Sequence, residues 1–169
     1  MSRRKQPSRS RPRSGRPGVP KHHLLPLPAC YVKELSLAGH LTLSACQSGN
    51  GNRYLLAELA RLTYLCYLLW EAGYGDADHG FFRAAEAILN GFALDTEEGR
   101  SWTPDANSAQ LLERVIRVYD AQIEVVSLKV FAECRSKLDH IIRVEIPATL
   151  SAINASHRPD SERDAPVLR

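Results

Sequence analysis

Residues 53–72 constrain the fold more than any other part of the chain. Leu55, Leu59, Leu62, Cys66 and Leu69 recur at intervals of four and three, and Leu56, Tyr64, Leu65, Leu68 and Trp70 widen the stripe. That spacing is the 3.6-residue repeat of an α-helix. A helix apolar around most of its circumference has to be surrounded, so this one is expected at the centre of a bundle. Glu71 and Ala72 are followed by Gly73, the residue type at which helices commonly end in a left-handed conformation.

Three further apolar blocks supply the neighbours. Tyr31 to Gln47 reads two ways: Leu35, Leu37, Leu41, Leu43 and Ala45 alternate as in a strand, while Leu35, Ala38, Leu41 and Ala45 fit a helix. Its length favours the helix, and Ser48-Gly49-Asn50-Gly51-Asn52 stops it. Asp76 or Asp78 can cap a third helix running to about Phe92. Phe81, Ala85, Ile88 and Phe92 form its stripe, joined by Phe82 and Leu89, with Arg83, Glu86 and Asn90 on the face turned away. An acidic loop, Asp95-Thr96-Glu97-Glu98-Gly99, follows.

Thr103, as N-cap, and Pro104, at the first helical position, open the fourth block. Its stripe runs through Leu112, Ile116, Tyr119, Ile123, Val126, Val130 and Cys134 to Leu138 and Ile141. As one helix over 104–143 it would reach roughly 60 Å at 1.5 Å per residue, about twice the length of its partners. Either it breaks after about residue 128, with the β-branched Ile123, Val125 and Val126 as the weak point, or its distal part packs on a second copy. The homodimer contact is the favoured expectation. The fold class expected is all-α: an antiparallel four-helix bundle over residues 29–155 with a long C-terminal helix.

The ends of the chain are of a different character. Residues 1–28 are rich in Arg, Ser, Pro and Gly, and residues 156–169 are similarly polar. Neither stretch can bury enough apolar surface to offset its ordering entropy, so both are expected to be disordered. Arg3, Arg4, Lys5, Arg9, Arg11, Arg13, Arg16 and Lys21 give residues 1–21 a charge of +8 with no acid. The other 14 basic residues face all 19 acids, a net of −5. A basic arm on an acidic body points to an anionic partner for the arm. Prolines keep the run Arg9 to Arg16 extended, which suits it to track phosphates, and DNA is expected ahead of RNA. No aromatic residue interleaves the cations, so the arm can hold a backbone but cannot read bases.

Catalysis finds no foothold. Neither GxSxG, a phosphate-binding GxxxxGK[ST], GxGxxG nor HExxH occurs. Asp139-His140 would need a nucleophile and oxyanion donors that the sequence does not suggest. Asp76-Ala77-Asp78-His79 lacks the further oxygen ligands of a calcium loop and is better explained by capping. His40 stands beside Gly39 with no ligand spacing around it. Cys30, Cys46, Cys66 and Cys134 show no zinc-ligand spacing and read as structural thiols. The expectation is therefore a non-enzymatic protein with no cofactor or metal. No stretch reads as a membrane span or as a signal peptide, so a cytoplasmic location and no membrane partner are expected. Trp102, just before the expected N-cap, is either a hydrophobic staple or an exposed anchor for a protein partner.

Several short motifs run through the chain: Pro7-Ser8 and Arg11-Pro12-Arg13 with Gly15-Arg16, His40 before a leucine-rich helix, Ser48-Gly49-Asn50-Gly51, and Leu59 with Leu62. Glu71-Ala72-Gly73-Tyr74-Gly75, Gly99-Arg100-Ser101-Trp102 and Tyr119-Asp120-Ala121-Gln122 complete the set. In these the chain resembles short proteobacterial proteins identified as Fis-family transcriptional regulators. The resemblance implies a helical bacterial protein that touches DNA or regulates transcription. Fis-like proteins read DNA with a C-terminal helix-turn-helix, whereas this chain ends in Ile141-Ile142-Arg143-Val144-Glu145-Ile146-Pro147 and a polar tail. Two readings follow: a DNA-associated regulator working through its arm, or a protein–protein adaptor working through the acidic bundle and the Trp102 loop.

Overall fold

The computed structural model describes residues 24–97 and 102–144. These form five helices: α1 (Ala29–Ala45), α2 (Arg53–Glu71), α3 (His79–Glu97), α4 (Ala106–Val125) and α5 (Leu128–Val144). The described residues contain no strand, and one isolated bridge joins Pro26 to Ser127.

The centre is α2, as its stripe requires. Leu56, Leu59 and the continuous run Leu65 to Leu69 are buried. Burying one such leucine contributes about 1.5–3 kcal/mol. Asn52 caps the helix by accepting the Leu55 N–H at 3.1 Å. At its other end Gly73 takes φ +91°, and the N–H groups of Tyr74 and Gly73 return to the carbonyls of Leu69 and Trp70. This closes the helix with the left-handed glycine its sequence announces.

Helix α1 settles the ambiguity of the first block. Gly39 and Leu43 face inward, while Leu37 and Leu41 point out, 59% and 60% exposed. A wider π-type turn, Cys46–Asn50, follows, with Gly49 at φ +82°. Asp78 caps α3 by accepting the Phe81 N–H at 2.8 Å. Tyr64 meets Glu86, and Trp70 packs on Phe82, so α3 runs antiparallel to α2. Glu86 is thus buried, contrary to the outward face expected of it. The stripe is wide enough at α2 to draw in a position one turn from Phe82.

The fourth block begins and ends differently from the expectation. Asp105, not Thr103, is the N-cap of α4; it accepts the Ser108 N–H at 2.8 Å. The 40-residue helix is divided. Val126, fully buried, takes an extended conformation at ψ 140°, and Ser127 starts a new helix, its hydroxyl accepting the Val130 N–H at 3.4 Å. Helix α5 then folds back on α2: the Cys134 thiol lies 3.6 Å from the Leu68 carbonyl oxygen, and Lys137 pairs with Glu71 at 3.4 Å. The distal part of the block finds its partner within its own chain. This removes the length argument for a homodimer contact there.

Residues 24–28 also depart from expectation. Leu27 is buried in the main core, and the Leu25 carbonyl accepts the Leu128 N–H at 2.9 Å. Pro26 and its neighbours form a strap across the α4–α5 junction rather than the end of a disordered arm. Among the described residues no helix is long and apolar enough to cross a membrane.

Candidate functional site

Arg3, Arg4, Lys5, Arg9, Arg11, Arg13, Arg16 and Lys21 lie outside the described residues, as does the stretch 145–169. What the structure does locate is the root from which residues 1–23 depart. Leu24 and Leu25 are exposed beside Ser127, at the corner where α4 gives way to α5.

About two turns back along α4 from that corner, His40 Nε2 and Asp120 Oδ2 meet at 2.9 Å. Asp120 Oδ1 is buried without a hydrogen-bond partner. Val32, Lys33, Ser36, Leu37 and Glu124 complete an open groove of about 430 Å³ between α1 and α4. An imidazole oriented by a carboxylate is half of a general-base arrangement. Ser36 lies one turn before His40 on α1, yet no hydrogen bond among the described residues joins the two. The arrangement therefore ties α1 to α4 at a solvent-facing edge and presents a polar groove near the root of the arm.

The other candidates fall into structural roles. Trp102 is 3% exposed and stacks on Phe92 with ring centroids 4.5 Å apart at 15°. It is neither an exposed anchor nor a staple on its own helix, because Asp105 is the cap and the ring packs back on α3. The partner-binding role assigned to Trp102 is withdrawn on its burial. Asp139 pairs with Arg61 at 3.2 Å instead of orienting His140, which is exposed. No group of three His, Cys, Asp or Glu side chains among the described residues is placed to hold a metal ion.

The cysteines follow their burial. Cys30 is exposed, while Cys46, Cys66 and Cys134 are buried. Desolvation raises the pKa of each buried thiol, which keeps it protonated and unreactive. The Tyr64 phenol is likewise pushed well above its usual range by burial, with the Glu86 carboxylate adding to the shift by its charge and its hydrogen bond.

Several of the short sequence motifs meet one another in space. His40 pairs with Asp120. Gly51 lies directly against Trp102, and Gly75 against the Gln122 side chain. Gln122, fully buried, donates from Nε2 to the carbonyls of Cys66 and Tyr74, each at 3.0 Å. These residue types are held by packing between segments 47–80 positions apart. Nothing along the sequence signals such pairs, and the contacts of Arg135 with Tyr31 and of Arg61 with Asp139 were equally illegible. Comparison with protein-family models, with curated proteins and with solved structures finds no match to this chain.

Proposed function

We propose that this protein is a non-enzymatic regulator that associates with DNA through its basic N-terminal arm, with a helical bundle as the body that positions the arm. The observation that carries the reading is the charge asymmetry: +8 on residues 1–21 without one acid, against −5 on the rest. Within the bundle Arg61, Arg117, Lys129 and Lys137 are each engaged by a carboxylate, whereas the arm has no acid to engage its cations. A body of net negative charge is repelled by a polyanion, so the arm works as a tether reaching away from it. The strap at residues 24–28 supports this role by fixing the root of the tether to the bundle. The resemblance to Fis-family transcriptional regulators points the same way.

Duplex DNA binding by the full chain at a series of salt concentrations tests this. If about five of the eight cations meet phosphates, the log–log salt slope is about −4.5. Replacing Arg9, Arg11, Arg13 and Arg16 together by Ala flattens the slope by about 0.9 for each phosphate contact removed. Unchanged affinity and slope in that variant refute the reading. The adaptor reading keeps one favouring observation, now moved from Trp102 to α1: Leu37 and Leu41 stand exposed one turn apart. Binding to a protein partner that survives deletion of residues 1–23 and fails in Leu37→Ser/Leu41→Ser supports it instead.

A further inference from the structure

Helices α1 and α5 both lean on α2 and leave a slot of about 160 Å³ between them. Its walls are mainly apolar: Leu35 of α1, Leu62 and Leu65 of α2, and Phe131 and Leu138 of α5, joined by Tyr119 of α4. An apolar protein cavity of about 150 Å³ takes up benzene, so this slot is the size of one six-membered ring.

Tyr119 and Arg135 are among the polar residues that line it. Tyr119 is 3% exposed; its hydroxyl makes no hydrogen bond within the described residues and keeps some accessible surface. Arg135 donates to the Tyr31 hydroxyl at 2.8 Å, and no carboxylate among the described residues pairs with it. The charge of Arg135 acts directly on the Tyr119 phenol, partly opposing the upward shift caused mainly by burial. A guanidinium has five N–H donors in a planar fork, so the bond to Tyr31 leaves donors for a carboxylate. Thr42, Glu58 and Arg61 also line the slot; Arg61 is held by Asp139, whereas Glu58, about two turns along α2 from Leu65, has no ion-pair partner among the described residues.

We propose that this slot binds a small aromatic carboxylate, its ring between the leucines and Phe131 and its carboxylate on Arg135 and the Tyr119 hydroxyl. The ligand has an apolar ring because leucines and Phe131 form most of the wall, and an anionic head because Arg135, one turn from Phe131 on α5, has no carboxylate partner among the described residues. Arg135 selects the anion, Tyr119 supplies a donor that folding alone leaves unused, and the slot volume admits one ring. The inference concerns the bundle and stands independently of DNA binding by the arm.

Benzoate is the probe, with benzyl alcohol as its uncharged counterpart, titrated into the full chain and followed by NMR. Saturable shifts of Tyr119, Phe131 and Leu65 are expected with benzoate. Arg135→Gln, at an exposed position, weakens benzoate by about tenfold or more while leaving benzyl alcohol within about twofold, the selectivity expected of one charge-assisted pair. Ala38→Phe, at the exposed edge of the slot, abolishes binding of both with the helical circular dichroism unchanged. Two results overturn the proposal. One is the absence of saturable shifts by about 10 mM benzoate, ten times a 1 mM dissociation constant. The other is equal binding of both probes that Arg135→Gln leaves unaltered, which would make the slot a plain apolar cavity.

Discussion

Two glycines act through what they allow to come near. Gly51 lets the Trp102 backbone carbonyl and indole approach the chain at the entry to α2, where an added Cβ would collide with that carbonyl. Gly39 lets α1 close on α2, where a Cβ would stand 2.7 Å from Leu62 Cδ1, the far end of a flexible side chain. The two should therefore respond differently. Gly51→Ala is expected to lower stability by about 1–3 kcal/mol, because backbone has to move. Gly39→Ala is expected to cost less, because a leucine rotamer absorbs most of the conflict. Urea unfolding midpoints of the two variants check this, and equal midpoints would contradict the argument. Neither glycine's role is legible in the sequence: both look like ordinary breaks or small residues until the segment they face is known.

At the scale of elements, the decisive feature is the break between α4 and α5. The β-branched run Ile123, Val125 and Val126 marks the right neighbourhood. Propensity alone does not end a helix there. Burial of Val126 and the strap at residues 24–28 do, since Leu25 takes up the Leu128 N–H that the broken helix would leave unpaired. Truncation separates the strap from the arm. Removing residues 1–23 is expected to leave the urea midpoint of the bundle unchanged. Removing residues 1–28 also takes away Leu27, only 6% exposed, and a buried leucine truncation costs about 2–5 kcal/mol. Equal midpoints for the two truncations would show that the strap contributes nothing.

At the scale of the whole molecule, the buried thiols and phenols set the alkaline limit of stability. Burial raises Cys66, Tyr64 and Tyr119 above their ordinary values of 9.0 for the thiol and 10.0 for the phenols. Their neutral forms are favoured in the folded chain, so this stability is fully present below those ordinary values. Above them the unfolded chain ionises first, and stability is lost as pH rises towards the folded values. Urea midpoints are expected to hold to about pH 9 and to fall from there through pH 11. Tyr64→Phe with Tyr119→Phe should flatten the fall above pH 10, and a fall of unchanged steepness would assign it to other groups.

The sequence by itself determined what depends on local order. The period of α2 required a surrounded helix, Gly73 ended it, and the segregation of eight cations from all the acids separated arm from body. Each of these follows from residues within a few turns of one another. Tertiary structure decided what depends on distant segments meeting. It divided the fourth block, turned Trp102 inward onto Phe92, buried Glu86 beside Tyr64, and brought Arg135 and Tyr119 to the lining of one slot. The physical reason is that periodicity tells which face of a helix seeks burial but not which neighbour will cover it. That choice is made by packing among elements tens of residues apart.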